Sequence, residues 1–398
     1  MSVRKRELLT LLLVFGLAAV SFAAGFVLHD VVGERLGLGA GGDERRLPLF
    51  WEAWGRVEES FLGDLPADRQ LAHGAIRGAL ATLDDPYTLF VEPAARELER
   101  QELSGRIGGV GASLQRNEAG QIVLSPVPDN PAIMAGVLEG DILLAVDGQT
   151  LTAEMSVEQI AQLVRGEEGT PVSLRVLHPG ATEPVEITIT RAIILLPSVS
   201  FRMVSDDPPI GYIRLSRFSA ESGQEVAEAI QSLQEQGADG LILDLRQNGG
   251  GLLDAAVEVS DHFLDAGPVV YQVSGSDEEE LFESTDKTLA GALPLLVLID
   301  GGTASASEIV AGALQDRGRA RLVGAPTFGK GSVQLVYDLS DGSSVHVTSA
   351  RWYTPDRHQI DQQGLKPDIV VEPDEEATAD GRDVALEEAI RFLSGGGS

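Results

Sequence analysis

Three short loops, each rich in glycine, serine or threonine, carry the side chains in this sequence that are best suited to chemistry. They span residues 244–251, 302–308 and 324–331, and each follows an apolar run with the pattern of a strand. In an open parallel sheet, functional groups gather where the strands end, because the loops there meet at one edge. The spacing therefore predicts that the three loops form one site.

Ser305 opens a predicted helix, and two roles fit a serine at that position. The spacing Ser305-x-x-Glu308 is that of a capping box, in which the serine only satisfies backbone groups of the first turn. The start of a helix also presents free N–H groups and the positive end of the helix dipole, which stabilise the oxyanion formed when a serine attacks a carbonyl. The pattern alone leaves both roles open, so the presence of a base must decide between them.

Lys330 is one of four lysines among 30 basic residues, so arginine supplies most of the positive charge elsewhere. Arginine does not lose its proton in a protein, whereas a buried lysine can do so near neutral pH and then accept a proton from a serine. The alternative is an exposed loop lysine. The loop also approaches the phosphate-binding pattern G-x-x-x-x-G-K-[ST], but Gly331 replaces its last residue and a strand-like run follows, which argues against nucleotide binding.

The composition excludes several classes of protein. A net charge of −31 repels phosphate backbones, so no nucleic-acid partner is predicted. The sequence has no cysteine, which excludes disulfides, thiolate metal sites and cysteine catalysis. Its six histidines lack the spacing of a zinc motif, so neither a metal nor an organic cofactor is expected.

The first 47 residues are predicted to reach a membrane and to end in a glycine-rich tether. Basic residues at 4–6 precede an apolar run at 8–28, which is long enough for one bilayer crossing. A weak cleavage pattern at 21–23 fits a signal peptide, whereas the continuation of the run favours an uncleaved anchor. Both remain open, and both place the rest of the chain on the periplasmic or cell-envelope side of the cytoplasmic membrane.

Four regions with different patterns follow, so the chain is predicted to be a multidomain α/β protein. Residues 48–103 repeat apolar side chains at helical spacing and predict a helical N-terminal arm. Residues 104–192 alternate short strands with one capped helix. Residues 193–375 alternate strands and helices, which is typical of an α/β domain with a mostly parallel sheet. Residues 376–398 predict a short helix and a flexible tail.

Residues 125–136, together with Gly140-Asp141, resemble the signature of PDZ domains in bacterial envelope proteases. The resemblance implies a β-sandwich-like domain with helices that binds peptides. The glycine-rich segment before it would present backbone N–H groups to a C-terminal carboxylate, while the adjacent strand pairs with the peptide. The alternative is that these glycines only form a turn. The predicted peptide-binding residues are Gly109, Val110, Gly111 and Ala112.

Longer motifs resemble those of the carboxyl-terminal processing proteases, a family of Ser-Lys peptidases. They lie at residues 244–251, 302–309 and 327–334, with shorter landmarks at 85–87, 212–215 and 351–355. The match extends over residues 50–372, in the order of the family. It implies that the α/β region is a crotonase-like protease core.

The resemblance also assigns roles within the three loops. Ser305, rather than Ser307, is the expected nucleophile, and Lys330 is the expected general base. The expected oxyanion hole combines the N–H of Ala306 with that of a glycine in residues 249–251. The remaining expected residues are Gln334, which orients the base, Gly250 and Gly251 as candidates for the second oxyanion N–H, and Asp244 and Arg246, which support the loop.

These patterns predict an exported serine endopeptidase that binds the unstructured, apolar C-terminal tails of proteins through its PDZ domain. Hydrolysis is expected to pass through an acyl-enzyme on Ser305, with Lys330 moving the proton. One alternative is a PDZ scaffold on the same fold with weak catalysis or none. Another is a Ser-Lys amidase for small amides, although a PDZ domain favours protein substrates. A homodimer or an adaptor protein also stays open as a partner.

Overall fold

Two units make up the chain, whose residues 47–372 and 381–396 are described by the computed structural model. The first unit extends to residue 75 and holds helix α1 (Pro48–Ser60) and the beginning of helix α2 (Asp68–Ala81). Pro48 stands in the first turn of α1, where its missing N–H costs no hydrogen bond. The predicted membrane segment lies outside the described residues, and no helix within them is long and apolar enough to cross a bilayer.

A short strand at the start of the second unit interrupts the arm that was expected to be helical. This strand, β1 (Leu89–Val91), precedes helix α3 (Pro93–Ser104), which ends at Gly105 in the left-handed conformation, with φ of 67°. Residues 89–91 become a strand because they pair antiparallel with residues 344–346. The arm is therefore part helix and part sheet, since a distant partner overrides its local pattern.

The region predicted as a PDZ domain is built around one antiparallel sheet in the order β3-β4-β5-β7-β8, with β6 paired to β5 and β2 paired separately to β9. Alternate residues of one strand, Val172, Leu174 and Val176, are buried, because successive strand side chains face opposite sides of a sheet. Its strands and helices are β2 (Arg106–Gly109), β3 (Ala112–Arg116), β4 (Ile122–Pro126), α4 (Pro131–Met134), β5 (Asp141–Val146), β6 (Gln149–Thr150), α5 (Val157–Val164), β7 (Pro171–Leu177), β8 (Val185–Thr190) and β9 (Ala192–Leu195).

Helix α5 begins at the capping box that the sequence predicts. The Gln159 N–H donates to Ser156 Oγ at 3.1 Å, and the Ser156 N–H donates to Gln159 Oε1 at 2.8 Å. These two bonds satisfy backbone donors that the first turn of a helix leaves free. Ile160 then faces the apolar core of the domain.

A six-stranded sheet in the order β10-β11-β12-β15-β16-β19 forms the α/β region. All neighbours in it are parallel except β10 and β11. Helices α6, α7 and α8 pack on one face and helix α9 on the other, so β12 and β15 are buried along their whole length. The elements are β10 (Val199–Asp206), β11 (Pro209–Leu215), α6 (Ser222–Glu235), β12 (Gly240–Asp244), α7 (Leu253–Asp261), β15 (Leu295–Ile299), α8 (Ala306–Asp316), β16 (Arg321–Gly324), β19 (Ile369–Val370) and α9 (Val384–Arg391), which runs into a π-helical turn (Phe392–Gly396).

A second, antiparallel sheet adjoins the first and carries the strands that follow Lys330. Its order is β1-β18-β13-β14, and β17 pairs along β18. Two of its strands, in residues 267–284, were not predicted from the sequence. The strands are β13 (Gly267–Ser274), β14 (Glu279–Ser284), β17 (Ser332–Asp338) and β18 (Ser344–Tyr353).

Candidate active site

Ser305 lies in a strained turn between strand β15 and helix α8. Its backbone angles are φ 58° and ψ −118°, a region that costs an L-residue on the order of 1–3 kcal/mol. Neighbouring loops hold the turn in place. Thr303 Oγ1 donates to the Leu245 carbonyl at 2.9 Å, and the Ala304 N–H donates to the Asn248 carbonyl at 3.0 Å. The strain is therefore maintained by the packing of two of the predicted loops against each other.

Ser307, the other serine of this loop, is fully buried. Its hydroxyl donates to the carbonyl of Asn248 at 2.9 Å and thereby links the first two of the predicted loops. Ser305, in contrast, is partly exposed at the start of α8. This difference favours the predicted choice of Ser305 as the nucleophile.

Glu308 joins the serine loop to the lysine loop. Its Oε2 accepts the backbone N–H of Ser305 at 2.8 Å and the backbone N–H of Lys330 at 2.9 Å. Its Oε1 accepts the N–H of Gly329 at 2.7 Å and the hydroxyl of Thr327 at 2.6 Å. Burial raises the pKa of this carboxyl group, and the four hydrogen bonds oppose that rise. The sequence alone predicts only a helix cap at Glu308, because its partners at residues 327–330 are distant in the chain.

Lys330 is half-buried, unlike the exposed loop lysine of the alternative interpretation. Burial lowers the pKa of its amine, because it removes part of the water that solvates the ammonium, and the charge of Glu99 partly opposes this effect. The aromatic ring of Tyr87 lies over the amine, with 5.3 Å between Nζ and the ring centroid. A lysine in this environment loses its proton more readily than one in water, as a general base requires.

Gly250 brings the second loop against the serine turn. A Cβ at this residue would lie 2.9 Å from the Ala304 carbonyl oxygen, 2.9 Å from Ser305 Cβ and 3.0 Å from the Ala306 nitrogen, so only glycine fits. The Gly250 N–H already donates to Asn248 Oδ1 at 2.9 Å.

The N–H groups of Ala306, Gly249 and Gly251 therefore remain as candidate donors for the predicted oxyanion hole. Ala306 begins helix α8, and N–H groups of a first helical turn have no partner within the helix. The assignment of Ala306 and Gly251 as donors stays a prediction.

Asp244 and Arg246 support the second loop through an ion-pair network that reaches helix α9. Arg246 Nη2 donates to Asp244 Oδ2 at 2.6 Å, and the Tyr212 hydroxyl donates to the same oxygen at 2.6 Å. The other side of the guanidinium donates two bonds of 2.7 Å to Asp383. Burial lowers the pKa of Arg246, but both carboxylates outweigh burial and raise it above the ordinary value. Asp383 and Tyr212 are members of this network that the sequence did not reveal.

Gln334 lies on β17, directly after the lysine loop. Its side-chain amide donates to Ser332 Oγ at 2.8 Å, and the residue pairs with Thr348 of β18. This position is close in sequence to the base, and the orienting role stays a prediction.

The segment predicted to bind peptide carboxylates is shaped by its own packing. The Gly111 carbonyl accepts the N–H of Val127 at 2.9 Å, and the Val110 carbonyl accepts the N–H of Ala132 at 2.8 Å. Gly111 has φ of 74°, and a Cβ there would lie 2.2 Å from that of Asn130. Val110 is buried in the core of the domain. The turn alone therefore accounts for Gly111, and peptide binding by Gly109, Val110, Gly111 and Ala112 stays a prediction.

Two protein families match separate parts of the chain. Residues 209–371 match peptidase family S41, and residues 122–177 match the PDZ domain. The first match covers all three loops described above, and the second lies within the region of β2–β9.

Individual relatives match over most of their length. A carboxyl-terminal-processing protease from Synechocystis is 40% identical over 86% of this chain and 82% of its own. A carboxy-terminal-processing protease from Bartonella bacilliformis is 37% identical over 87% of this chain and 79% of its own. Among solved structures, a photosystem II D1 C-terminal processing protease is 34% identical, with a TM-score of 0.50 over 86% of this chain and 91% of the other.

Proposed function

Because the chain belongs to peptidase family S41, as a relative of the carboxyl-terminal-processing proteases with a PDZ domain, we propose that it is an exported endopeptidase with a Ser305–Lys330 dyad. The observation that carries this proposal is the sharing of Glu308 Oε2 by the backbone N–H groups of both residues. One buried carboxylate thereby fixes the serine turn and the lysine loop to each other.

The proposed reaction is acyl transfer to Ser305 followed by hydrolysis. Neutral Lys330 accepts the hydroxyl proton while Ser305 Oγ attacks the scissile carbonyl carbon, and the N–H of Ala306 at the start of α8 stabilises the oxyanion. Lysine then returns the proton to the leaving amine as the C–N bond breaks. A water molecule attacks the ester in the same way, with Lys330 as base, and releases Ser305. The lowered pKa of Lys330 supports its role as base.

The proposed substrates are proteins with unstructured, apolar C-terminal tails. The PDZ domain supports this choice, because such domains bind chain termini by pairing them with a strand next to a backbone N–H cradle. Here the strand is β3, which begins one residue after Gly111. Export is supported by the basic and apolar pattern of residues 4–28, which fits an anchor in the cytoplasmic membrane or a cleaved signal peptide.

The proposal is tested by cleavage of an unstructured protein with an apolar C-terminus, using the purified full-length chain in detergent. Wild type is expected to cleave it, and Ser305→Ala and Lys330→Ala are expected to lose at least about 10³-fold in rate. Lys366→Ala, which removes an exposed lysine of the same domain, serves as the control. Binding of the tail without cleavage by wild type would identify a PDZ scaffold instead.

A further inference from the structure

The turn at residues 85–88 lies against Lys330 and has no role in the proposed function. Tyr87 contributes its ring, whose centroid is 5.3 Å from Lys330 Nζ, and the side chain is half-buried. The ring face therefore lies beside the atom that exchanges the proton in the proposed mechanism. An ammonium over a ring face is attracted to it, and the bulk of the ring also displaces water from that side.

Tyr87 is fixed to the sheet that carries the lysine loop. Its N–H donates to Asp85 Oδ1 at 3.1 Å, and Asp85 Oδ2 accepts the hydroxyl of Thr88 at 2.6 Å. Thr88 in turn accepts the N–H of Thr348 on β18 at 3.0 Å. Since β18 pairs with both β1 and β17, the turn and the strand that follows Lys330 are held by one strand.

The charged groups that act on this contact are carboxylates, two of which have cationic partners: Glu99 lies against Arg96 and His346, and Asp361 lies against Arg351. Glu99 on α3 acts on Lys330 and raises its pKa against the effect of burial. Around the ring, burial raises the pKa of Tyr87, and the charges of Asp361, Glu308 and Asp85 raise it further. The hydroxyl therefore stays protonated at neutral pH and does not compete with Lys330 for the serine proton. The charge of Glu99 favours the ammonium form of Lys330, whereas burial lowers the pKa of the amine and thereby favours the neutral form.

We propose that Tyr87 is a positioning residue for Lys330, whose ring shields the amine from water and holds it in one orientation at the site. This inference rests on the proposed Ser-Lys mechanism. The ring, rather than the hydroxyl, performs the role, because the ring face is what lies over Nζ. Removal of the ring takes away its attraction for the ammonium but admits water to the amine. We expect the gain in solvation to be the larger effect at this half-buried site, so the form that cannot accept a proton is stabilised.

The test is the pH dependence of kcat/KM for a fluorescence-quenched peptide with an apolar C-terminal tail. The acidic limb of this profile reports the pKa of the essential base in the free enzyme. In Tyr87→Ala the midpoint of the acidic limb is expected about one pH unit higher than in wild type. At pH values below the wild-type midpoint, kcat/KM of this variant is expected to be about tenfold lower than that of wild type. Tyr87→Phe keeps the ring and is expected to restore the wild-type limb. Tyr337→Ala, which removes an exposed tyrosine on β17, is the matched control.

Circular dichroism establishes whether each variant folds. If Tyr87→Ala does not fold, Tyr87→Leu replaces it and is expected to show a higher limb than Tyr87→Phe, because leucine covers the amine less completely. The inference is overturned if the acidic limb lies at the same pH in wild type and in the variant without the ring, Tyr87→Ala or its substitute Tyr87→Leu. It is also overturned if Tyr87→Phe is as impaired as that variant. Cleavage by Ser305→Ala at the wild-type rate would instead overturn the proposed function, which separates the two failures.

Discussion

Ser305 and Lys330 donate their backbone N–H groups to the same atom, Glu308 Oε2, at 2.8 and 2.9 Å. The two residues lie on different loops, one at the end of β15 and the other before β17. A fully buried carboxylate that accepts four hydrogen bonds is a strong local constraint, because hydrogen bonds to charged groups are about twice as strong as neutral ones. One buried side chain thus holds the loops of the proposed nucleophile and base in a fixed relative position.

Replacement of Glu308 by glutamine should separate the two loops. A glutamine amide offers only one oxygen, so two of the four donors lose their acceptor, and each unsatisfied buried donor costs about 1–3 kcal/mol. We expect Glu308→Gln to lower the free energy of unfolding by about 2–4 kcal/mol and kcat/KM by at least about 10²-fold. Urea unfolding and peptide cleavage measure the two effects, and Glu235→Gln on the exposed surface of α6 is the control. Wild-type activity in Glu308→Gln would show that the shared acceptor does not position the dyad.

The buried charge of Lys330 is expected to lower the free energy of unfolding of the protein. Its folded-state pKa lies below the unfolded value of 10.5, so the unfolded chain binds more protons and the cost is fully present below the folded pKa. As the pH rises towards 10.5 that cost disappears. We expect Lys330→Met to be inactive yet to melt about 2–4 °C above wild type at pH 7, with the difference shrinking in alkaline buffer. Scanning calorimetry at several pH values measures this difference, and a lower Tm for Lys330→Met would contradict the assigned direction.

A methyl group at residue 250 should disturb the serine turn without changing any charged group. Gly250 has φ of 101°, and its added Cβ would lie 2.9 Å from Ser305 Cβ and from the Ala304 carbonyl oxygen. We expect Gly250→Ala to lower kcat by about 10²–10³-fold, the range for loss of an oxyanion-hole donor. The control is Gly275→Ala, where nothing lies within 4 Å of the added atom. Equal kcat values for the two variants would rule out a tight turn as a requirement for catalysis.

The ion pair between Arg246 and Asp383 is expected to stabilise the protein at neutral pH and to lose this effect in acid. Burial raises the pKa of Asp383, but the hydrogen bonds and charge of Arg246, together with the backbone N–H groups of Leu386 and Ala385, outweigh burial and lower the pKa below 3.8. A carboxyl group of this kind contributes stability above its unfolded pKa, and that contribution is lost as the pH falls through the folded pKa.

We expect Asp383→Asn to lower the free energy of unfolding by about 1 kcal/mol at pH 7, a value reduced for screening because the side chain is 40% exposed. The difference from wild type should vanish below the folded pKa. Urea unfolding at several pH values checks this, with Asp239→Asn at an exposed site as the control. A difference that persists unchanged at low pH would mean that the charge of Asp383 contributes nothing.

Local patterns were sufficient for the elements whose signals lie within a few residues. The capping box of α5 is confirmed, as is the mostly parallel sheet of the α/β region, because caps and strand periodicity depend on neighbours in sequence. The three loops come together as predicted, because parallel strands place their following loops at one edge.

Long-range pairing explains what the sequence did not predict. Strands β1 and β13 form against the distant strand β18. Strand β14 pairs with its neighbour β13, although its residues Glu279, Glu280 and Glu283 locally favour solvated coil. The network of Asp383 with Arg246 joins residues 137 positions apart. The sequence predicted Glu308 as a helix cap but did not show that it joins the serine loop to the lysine loop, because its partners at residues 327–330 are distant in the chain.

Mass spectrometry of the trapped acyl-enzyme tests the Ser305–Lys330 dyad most directly. Wild type is mixed with an apolar-tailed peptide ester, quenched in acid and digested, so that any acylated residue is located by fragmentation. We predict one acyl group on Ser305 in wild type and none in Lys330→Met, since the hydroxyl then has no base. An acyl group on Ser307, or full acylation of Ser305 in Lys330→Met, would contradict the proposed dyad.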